Sequence, residues 1–263
     1  MFLYKYYPCK KYSFNNLAKE QVTFNTLINY LDDDKNEGNL NIISKMQDNM
    51  KNECEKGLSK ALVKRTKEMI NDTIYGFVRV LCLTDSCAYK YMWENYADDG
   101  KGFCVEYEYN NINKISNNLN NINYISSADK FIYFENRLSI QQFNEIINKI
   151  LFNKDEIFVK EKEYRAIIKI PPHCKKYVTE VSSQEFCDYH NNNFQKNQDY
   201  YYCSDIFHKK DYKIQNFINL QCKINRVYIG YNVLSDDKEK IIEICNKKNY
   251  KFSFIDRKNL KNV

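Results

Sequence analysis

The chain has 263 residues, 43% of them hydrophobic and 15% aromatic, which is ample for a packed core and argues against a disordered or fibrous protein. Its 40 Lys and Arg against 34 Asp and Glu leave a net charge of +6 scattered in short mixed runs, which argues against a dedicated nucleic-acid groove and permits contact with a phosphate-bearing ligand. Met1 to Tyr6 lacks an apolar segment of signal-peptide length and no 18 apolar residues run together, so a cytoplasmic chain with no membrane contact and mostly reduced cysteines is expected.

Phe2 to Tyr7 is short, aromatic and alternating, and reads as a first strand stopped by Pro8. A helical turn at Asn15 to Lys19 and an extended Val22 to Phe24 follow, then an acidic cluster at Asp32, Asp33 and Asp34. From Leu40 to Ile70 the apolar residues fall three or four apart, predicting one or two amphipathic helices broken near Gly57. Ile74 to Leu83 is an unbroken apolar run and predicts a buried central strand. Thr84-Asp85-Ser86 then offers a helix cap, and Tyr89, Met92, Trp93 and Tyr96 share one helix face. Gly100-Lys101-Gly102 turns the chain into a strand in which Phe103, Val105, Tyr107 and Tyr109 alternate with a polar face of Cys104, Glu106 and Glu108.

The Asn-rich stretch from Ile112 to Asn123 is compositional bias and carries no motif, and a short strand is expected over Asn123 to Ser126. Ser139 to Gln142 has capping-box spacing and opens an amphipathic helix through Leu151. Tyr164 to Ile170 reads as a strand ended by Pro171-Pro172, and residues 173–216, which hold every histidine, as a polar insertion. The end predicts a strand from Ile224 to Tyr231, a helix capped by Ser235 with Asp236 and Asp237 in its first turn, and a strand from Tyr250 to Ile255. Together these give a single α/β or α+β domain over 1–263, a mixed sheet with flanking helices.

Four segments in order resemble the bacterial family named domain of unknown function 2971: Leu3-Tyr4-Lys5-Tyr6, Leu81 to Thr84 with Met92-Trp93-Glu94-Asn95-Tyr96-Ala97 and Lys101-Gly102-Phe103-Cys104-Val105-Glu106, then Glu161-Lys162-Glu163-Tyr164-Arg165, and Val227-Tyr228-Ile229-Gly230. The chain departs from the family pattern at Asp32 to Asp34, where an Asn and a Pro are lost, at Thr84 in place of Ser, and at Asn95 in place of His.

The order of a polar first strand, a strand ending in a hydroxyl and a Glu-x-Glu strand is similar to that of NAD-dependent ADP-ribosyltransferases, enzymes of bacterial defence and toxin type including phage defence. That resemblance implies Glu163 as the carboxylate that stabilises an oxocarbenium-like transition state, Glu161 as its helper and Thr84 as the strand-end hydroxyl. Lys5 or Tyr4 would clasp the cofactor, Arg165 would bind its pyrophosphate, and Trp93 and Tyr96 offer aromatic walls, although an aromatic stripe at helical spacing is first of all core. The partners implied are a nucleotide-type small molecule and a protein or nucleic-acid acceptor. The reading requires Lys5, Thr84 and Glu163 to converge on one cleft.

Three alternatives stand beside it. Asp32, Asp98, Glu106 and Glu163 offer carboxylates for a magnesium-dependent nuclease or phosphohydrolase. A non-catalytic ligand- or protein-binding module needs none of them. A thiol nucleophile would pair Cys82 or Cys104 with His173 or His190. Separately, Cys187, His190, Cys203 and His208 have the donor types of a tetrahedral zinc site within the insertion.

Overall fold

The computed structural model describes residues 1–26, 41–44, positions 61, 62, 64–66, 70, 73, 74 and 77, and residues 78–126, 131–134, 139–170 and 217–262. Its chain order is β1 (Phe2–Tyr7), α1 (Lys11–Lys19), β2 (Gln21–Asn25), β3 (Asn41–Ser44), β4 (Val78–Thr84), α2 (Lys90–Tyr96), β5 (Phe103–Glu108), α3 (Tyr109–Ile115), β6 (Asn118–Asn121), β7 (Asn123–Ile125), β8 (Phe131–Phe134), α4 (Ile140–Phe152), β9 (Asn153–Asp155), a 3₁₀ turn (Glu156–Glu161), β10 (Glu163–Lys169), β11 (Phe217–Gln221), β12 (Ile224–Ile229), α5 (Ser235–Lys248) and β13 (Lys251–Phe254). Nine of these strands form one mixed sheet, with β3–β8 and β7–β9 as separate two-stranded pairs, so the fold is α+β.

The sheet branches at β4. Along one edge β4 pairs antiparallel with β10 over its full length, and β10 continues to β6. Along the other edge it meets two strands at different ends: Thr84 is opposite Tyr4 of β1, and Val80 is opposite Asn25 of β2. β1 and β2 therefore diverge, with a wedge between them. Outward from β1 the sheet continues through β5, β12 and β13, and outward from β2 through β11.

One sheet face is apolar. Leu3 and Tyr7 of β1, Leu81 and Leu83 of β4, Val105 of β5 and Val227 and Ile229 of β12 form a core with Phe14 and Leu17 of α1, Ile112 of α3 and Ile241 and Cys245 of α5. The other face is covered in two places. α4 seals Val78, Val80 and Ile167 with Phe143, Ile146, Ile147 and Leu151. α2 packs Met92 and Trp93 on Tyr6 and Cys104, the Tyr6 ring meeting Trp93 edge-on at 5.0 Å. A polar seam lies where these two covers meet.

Several expected elements shift. Residues 74 and 77 are helical and β4 begins at Val78, because an apolar run satisfies a buried helix as well as a buried strand. Residues 41–44, expected to be helical, form β3 paired parallel with β8. Tyr109 does not continue β5 but starts α3, and the Asn-rich stretch supplies that helix and β6. Of the expected polar face of β5, Glu108 is exposed, whereas Cys104 at 0% and Glu106 at 5% exposure are buried, Cys104 under α2 and Glu106 against Tyr228 and Asn225. α2 starts from Tyr89 with no side-chain cap, and Ser235 is the first residue of α5 rather than its cap. The Ser139 to Gln142 capping box, by contrast, is formed in both directions. The Gly57 break, the Asp32 cluster and the 173–216 insertion with its zinc donors lie outside the described residues.

Gly102 shows why the turn before β5 uses glycine. A Cβ there would fall onto the Tyr7 carbonyl oxygen, so the close approach of α2 and β1 forbids a side chain. Gly100 adopts φ 74°, the left-handed region that glycine enters without strain.

Candidate functional site

The register of the sheet aligns the polar residues. Glu163 is opposite Thr84, Thr84 is opposite Tyr4, and Tyr4 is opposite Glu106. Opposed residues share a face, so these four form one transverse row across β10, β4, β1 and β5. Lys5, one position along, alternates to the other side of β1. The sequence expectation therefore divides: Tyr4, Thr84 and Glu163 are brought together, and Lys5 is not.

Glu163 is the centre of a buried charge network. Its Oε1 accepts from Arg165 Nε at 2.9 Å, with Arg165 Nη2 also at 2.9 Å, and its Oε2 accepts from Lys154 Nζ at 3.1 Å. Lys154 also donates to Glu161 Oε2 at 2.6 Å, and Glu161 Oε1 accepts from the Tyr96 hydroxyl at 2.6 Å. Arg165 Nη1 donates to the Leu151 carbonyl at 2.7 Å, and the Glu163 backbone N–H donates to the Tyr124 hydroxyl at 2.8 Å. Two carboxylates meet two cations, all four residues at most 4% exposed. Burial alone would raise the Glu163 carboxyl, but Arg165 and Lys154 outweigh it and hold it down at about 2. Glu161 goes the other way: burial and the Glu163 charge raise it against the pull of Lys154 and Tyr96.

The network has a structural consequence. Lys154 on β9 and Glu161 at the end of the 3₁₀ turn tie the α4 side to β10, and Tyr96 ties both to α2. Sequence reading found Glu161, Glu163, Arg165 and Tyr96 through the Glu-x-Glu and Met-Trp motifs. Lys154 had no motif to reveal it.

Beside Glu163, the Thr84 hydroxyl is fully buried and has no hydrogen-bond partner among the described residues. An unpaired buried hydroxyl is costly, and Thr84 shares this state with Tyr7, Ser13 and Tyr250. At the far end of the row, Glu106 accepts from the Tyr228 hydroxyl at 2.9 Å and from the Asn225 amide, and the Tyr4 hydroxyl bonds it as well. Tyr4 is thereby turned toward Glu106, with its phenol raised by burial and by that carboxylate.

The wedge between β1 and β2 is a second polar place. It encloses a cavity of about 680 Å³ lined by Lys5 and Tyr6 of β1, Tyr12, Asn16 and Lys19 of α1, Thr23 of β2, Tyr96 of α2 and Asn219 and Phe217 of β11, among others. Lys5 and Tyr96 are the expected cofactor-binding residues that reach it; Tyr4, Trp93 and Arg165 do not line it. Trp93 is fully buried, its indole N–H donating to the Cys87 carbonyl at 2.8 Å, and Arg165 is spent on Glu163 and Leu151, so these two act inside the core.

The alternative chemistries are only partly placed, since Asp32, His173 and His190 lie outside the described residues. Glu106 and Glu163 are three strand spacings apart, about 14 Å, too far to share a metal ion, and among the described residues no group of three or more metal-donor side chains exists. Burial pushes the Cys82 thiol up to about 12 and Cys104 well above its ordinary value, the reverse of an activated nucleophile. Among the described residues no helix is long and apolar enough to cross a membrane.

The buried charge network and half of the row lie in one stretch of sequence that is recognisable beyond this chain. Residues 92–166 match the family described as Protein of unknown function (DUF2971). The DUF2971 segment runs from Met92 of α2 to Ala166 of β10, so it contains Trp93, Tyr96, Glu106, Lys154, Glu161, Glu163 and Arg165, while Tyr4, Thr84 and most of the wedge lie outside it. No curated protein and no solved structure matches the chain.

Proposed function

We propose that the chain is an ADP-ribosyltransferase-like enzyme that consumes NAD, with Glu163 as the transition-state carboxylate, Thr84 as the neighbouring hydroxyl and Tyr4 in the first-strand position. One observation carries the reading: Tyr4, Thr84 and Glu163 are opposed in register on three adjacent strands and so share one face. The convergence required of Lys5, Thr84 and Glu163 is not met, because Lys5 alternates to the other side of β1, and the reading rests on Tyr4 in its place. A carboxylate held ionised by its neighbours has the charge needed to stabilise an oxocarbenium-like ribose, and the unpaired Thr84 hydroxyl beside it offers a donor. In the transfer, the bond from the ribose carbon to the nicotinamide nitrogen breaks with its electron pair leaving on the nicotinamide. An acceptor oxygen or nitrogen forms the new bond and gives up its proton to solvent. The acceptor is a macromolecule, protein or nucleic acid, in a cytoplasmic setting of bacterial defence, an assignment that rests on analogy of organisation.

A second reading, ligand binding without turnover, is favoured by the engagement of both Glu163 oxygens with Arg165 and Lys154. Labelled NAD with cell extract separates the two. The transferase releases nicotinamide, and Glu163→Gln and the near-isosteric Thr84→Val, each checked for folding by circular dichroism, reduce that release. Absence of release, or release unchanged in both folded variants, overturns the transferase and leaves the binding module.

A further inference from the structure

We propose that the wedge between β1 and β2 is a binding site for a nucleotide-type anion, a planar ring carrying phosphate, recognised by Lys5, Lys19, Tyr12, Phe217, Thr23 and Asn219. The site is distinct from the row of carboxylates, since neither Thr84 nor Glu163 lines it. The proposal does not depend on turnover.

The wedge follows from the branching of the sheet. Because β1 and β2 touch β4 four residues apart, at Thr84 and Val80, their facing edges part, and α1, which links them, bridges the gap. Three features of its wall agree on one ligand chemistry. First, among the described residues the lining holds two lysines and no Asp or Glu. Lys5 is half-buried and has no ion-pair partner among the described residues, in contrast to Lys154, whose charge is doubly paired. An ammonium held in a concave, partly dehydrated place without a carboxylate is matched by an anion, and phosphate presents several strong acceptor oxygens to it.

Second, the rim is aromatic. Tyr12 at 54% and Phe217 at 55% exposure, with Tyr96 at 38%, are among the few large apolar side chains left open to solvent, and all three border this cavity. Exposed rings around a cationic pocket are surfaces on which a flat heterocycle stacks. Third, the floor is already organised. Asn16 Nδ2 donates to Thr23 Oγ1 at 2.8 Å, and Thr23 Oγ1 donates to Asn219 Oδ1 at 2.7 Å. This chain fixes the side chains and uses the Asn219 carbonyl oxygen, leaving the Asn219 amide nitrogen as a donor for a ring edge or a phosphate oxygen. A volume of about 680 Å³ is within the usual size of small-molecule pockets.

Titration calorimetry with ADP as probe, alongside adenosine and inorganic phosphate, tests the site. ADP should bind, each half alone should bind at least about tenfold more weakly, and Lys5→Gln and Tyr12→Ala should each weaken ADP by about tenfold. Tyr12 is exposed, so Tyr12→Ala keeps the test valid if Lys5→Gln perturbs β1. No ADP binding at millimolar concentration, or binding unchanged in both variants, overturns the site. ADP binding without nicotinamide release from NAD upholds the site and overturns the transferase. Nicotinamide release with ADP affinity unchanged in both variants does the reverse.

Discussion

Lys154 of β9 and Lys5 of β1 sit in opposite electrostatic situations. Lys154 is 3% exposed and shared by two carboxylates, so its charge is neutralised inside the protein. Lys5 borders a cavity whose wall has no carboxylate among the described residues. The seam around Glu163 is thus a closed circuit that holds covers α2 and α4 to the sheet, and the wedge is an open one that can be completed from outside. A paired buried charge holds the fold together whatever else it does, whereas one without a partner in a concave place is left for a ligand.

Breaking the closed circuit should have the largest effect. Lys154→Met leaves Glu161 and Glu163 facing each other without their common cation, and a loss of about 3–5 kcal/mol is expected in urea unfolding, as for other buried pairs stripped of one partner. Tyr96→Phe removes a single hydroxyl from buried Glu161 and should cost about 1.5–3 kcal/mol by the same measurement. A near-neutral result for both would mean that the seam is open in solution.

Acid titration sharpens the comparison further. Glu163 falls from an ordinary 4.5 to about 2 in the fold, so its contribution is fully present above about pH 4.5 and is lost as pH falls from there toward 2. Glu161, raised in the fold, acts in the opposite sense and above that window: it protonates first in the folded chain, which favours the fold as pH falls. Thermal unfolding against pH should therefore show the wild-type chain losing stability more steeply than Glu163→Gln below about pH 4.5; equal slopes would mean that the ion pairs do not hold Glu163 ionised. The smallest effect belongs to the wedge: Lys5→Gln and Lys19→Gln should change stability by no more than about 0.5 kcal/mol, because neither charge has an ion-pair partner among the described residues. A clear destabilisation there would make the wedge lysines structural.

Much of the scaffold could be read from residue order. β1, β2, β10, β12, β13, α4 and α5 fall close to their expected places, because period-2 and period-3.6 patterns and the Ser139 capping box are local signals. The misplaced elements share a cause. At 41–44 and 74–77 short apolar runs carry no decisive period, and at Tyr109 a strand-like alternation runs on into a helix that packs Ile112 into the core. In the site, Glu161, Glu163 and Arg165 were visible as one motif, whereas Lys154 lies nine residues before Glu163 on another strand with nothing to mark it. The wedge was less legible still, its floor joining Thr23 to Asn219 across 196 positions.

The sequence alone determined most of the strands and helices that carry a clear period and marked the Glu-x-Glu motif, since those depend on neighbours a few positions apart. Only the tertiary structure decided what the polar residues face. Strand register placed Tyr4 rather than Lys5 beside Thr84, and the branching at β4 opened the wedge, because cross-strand pairing is fixed by burial of a whole sheet face rather than by any single segment.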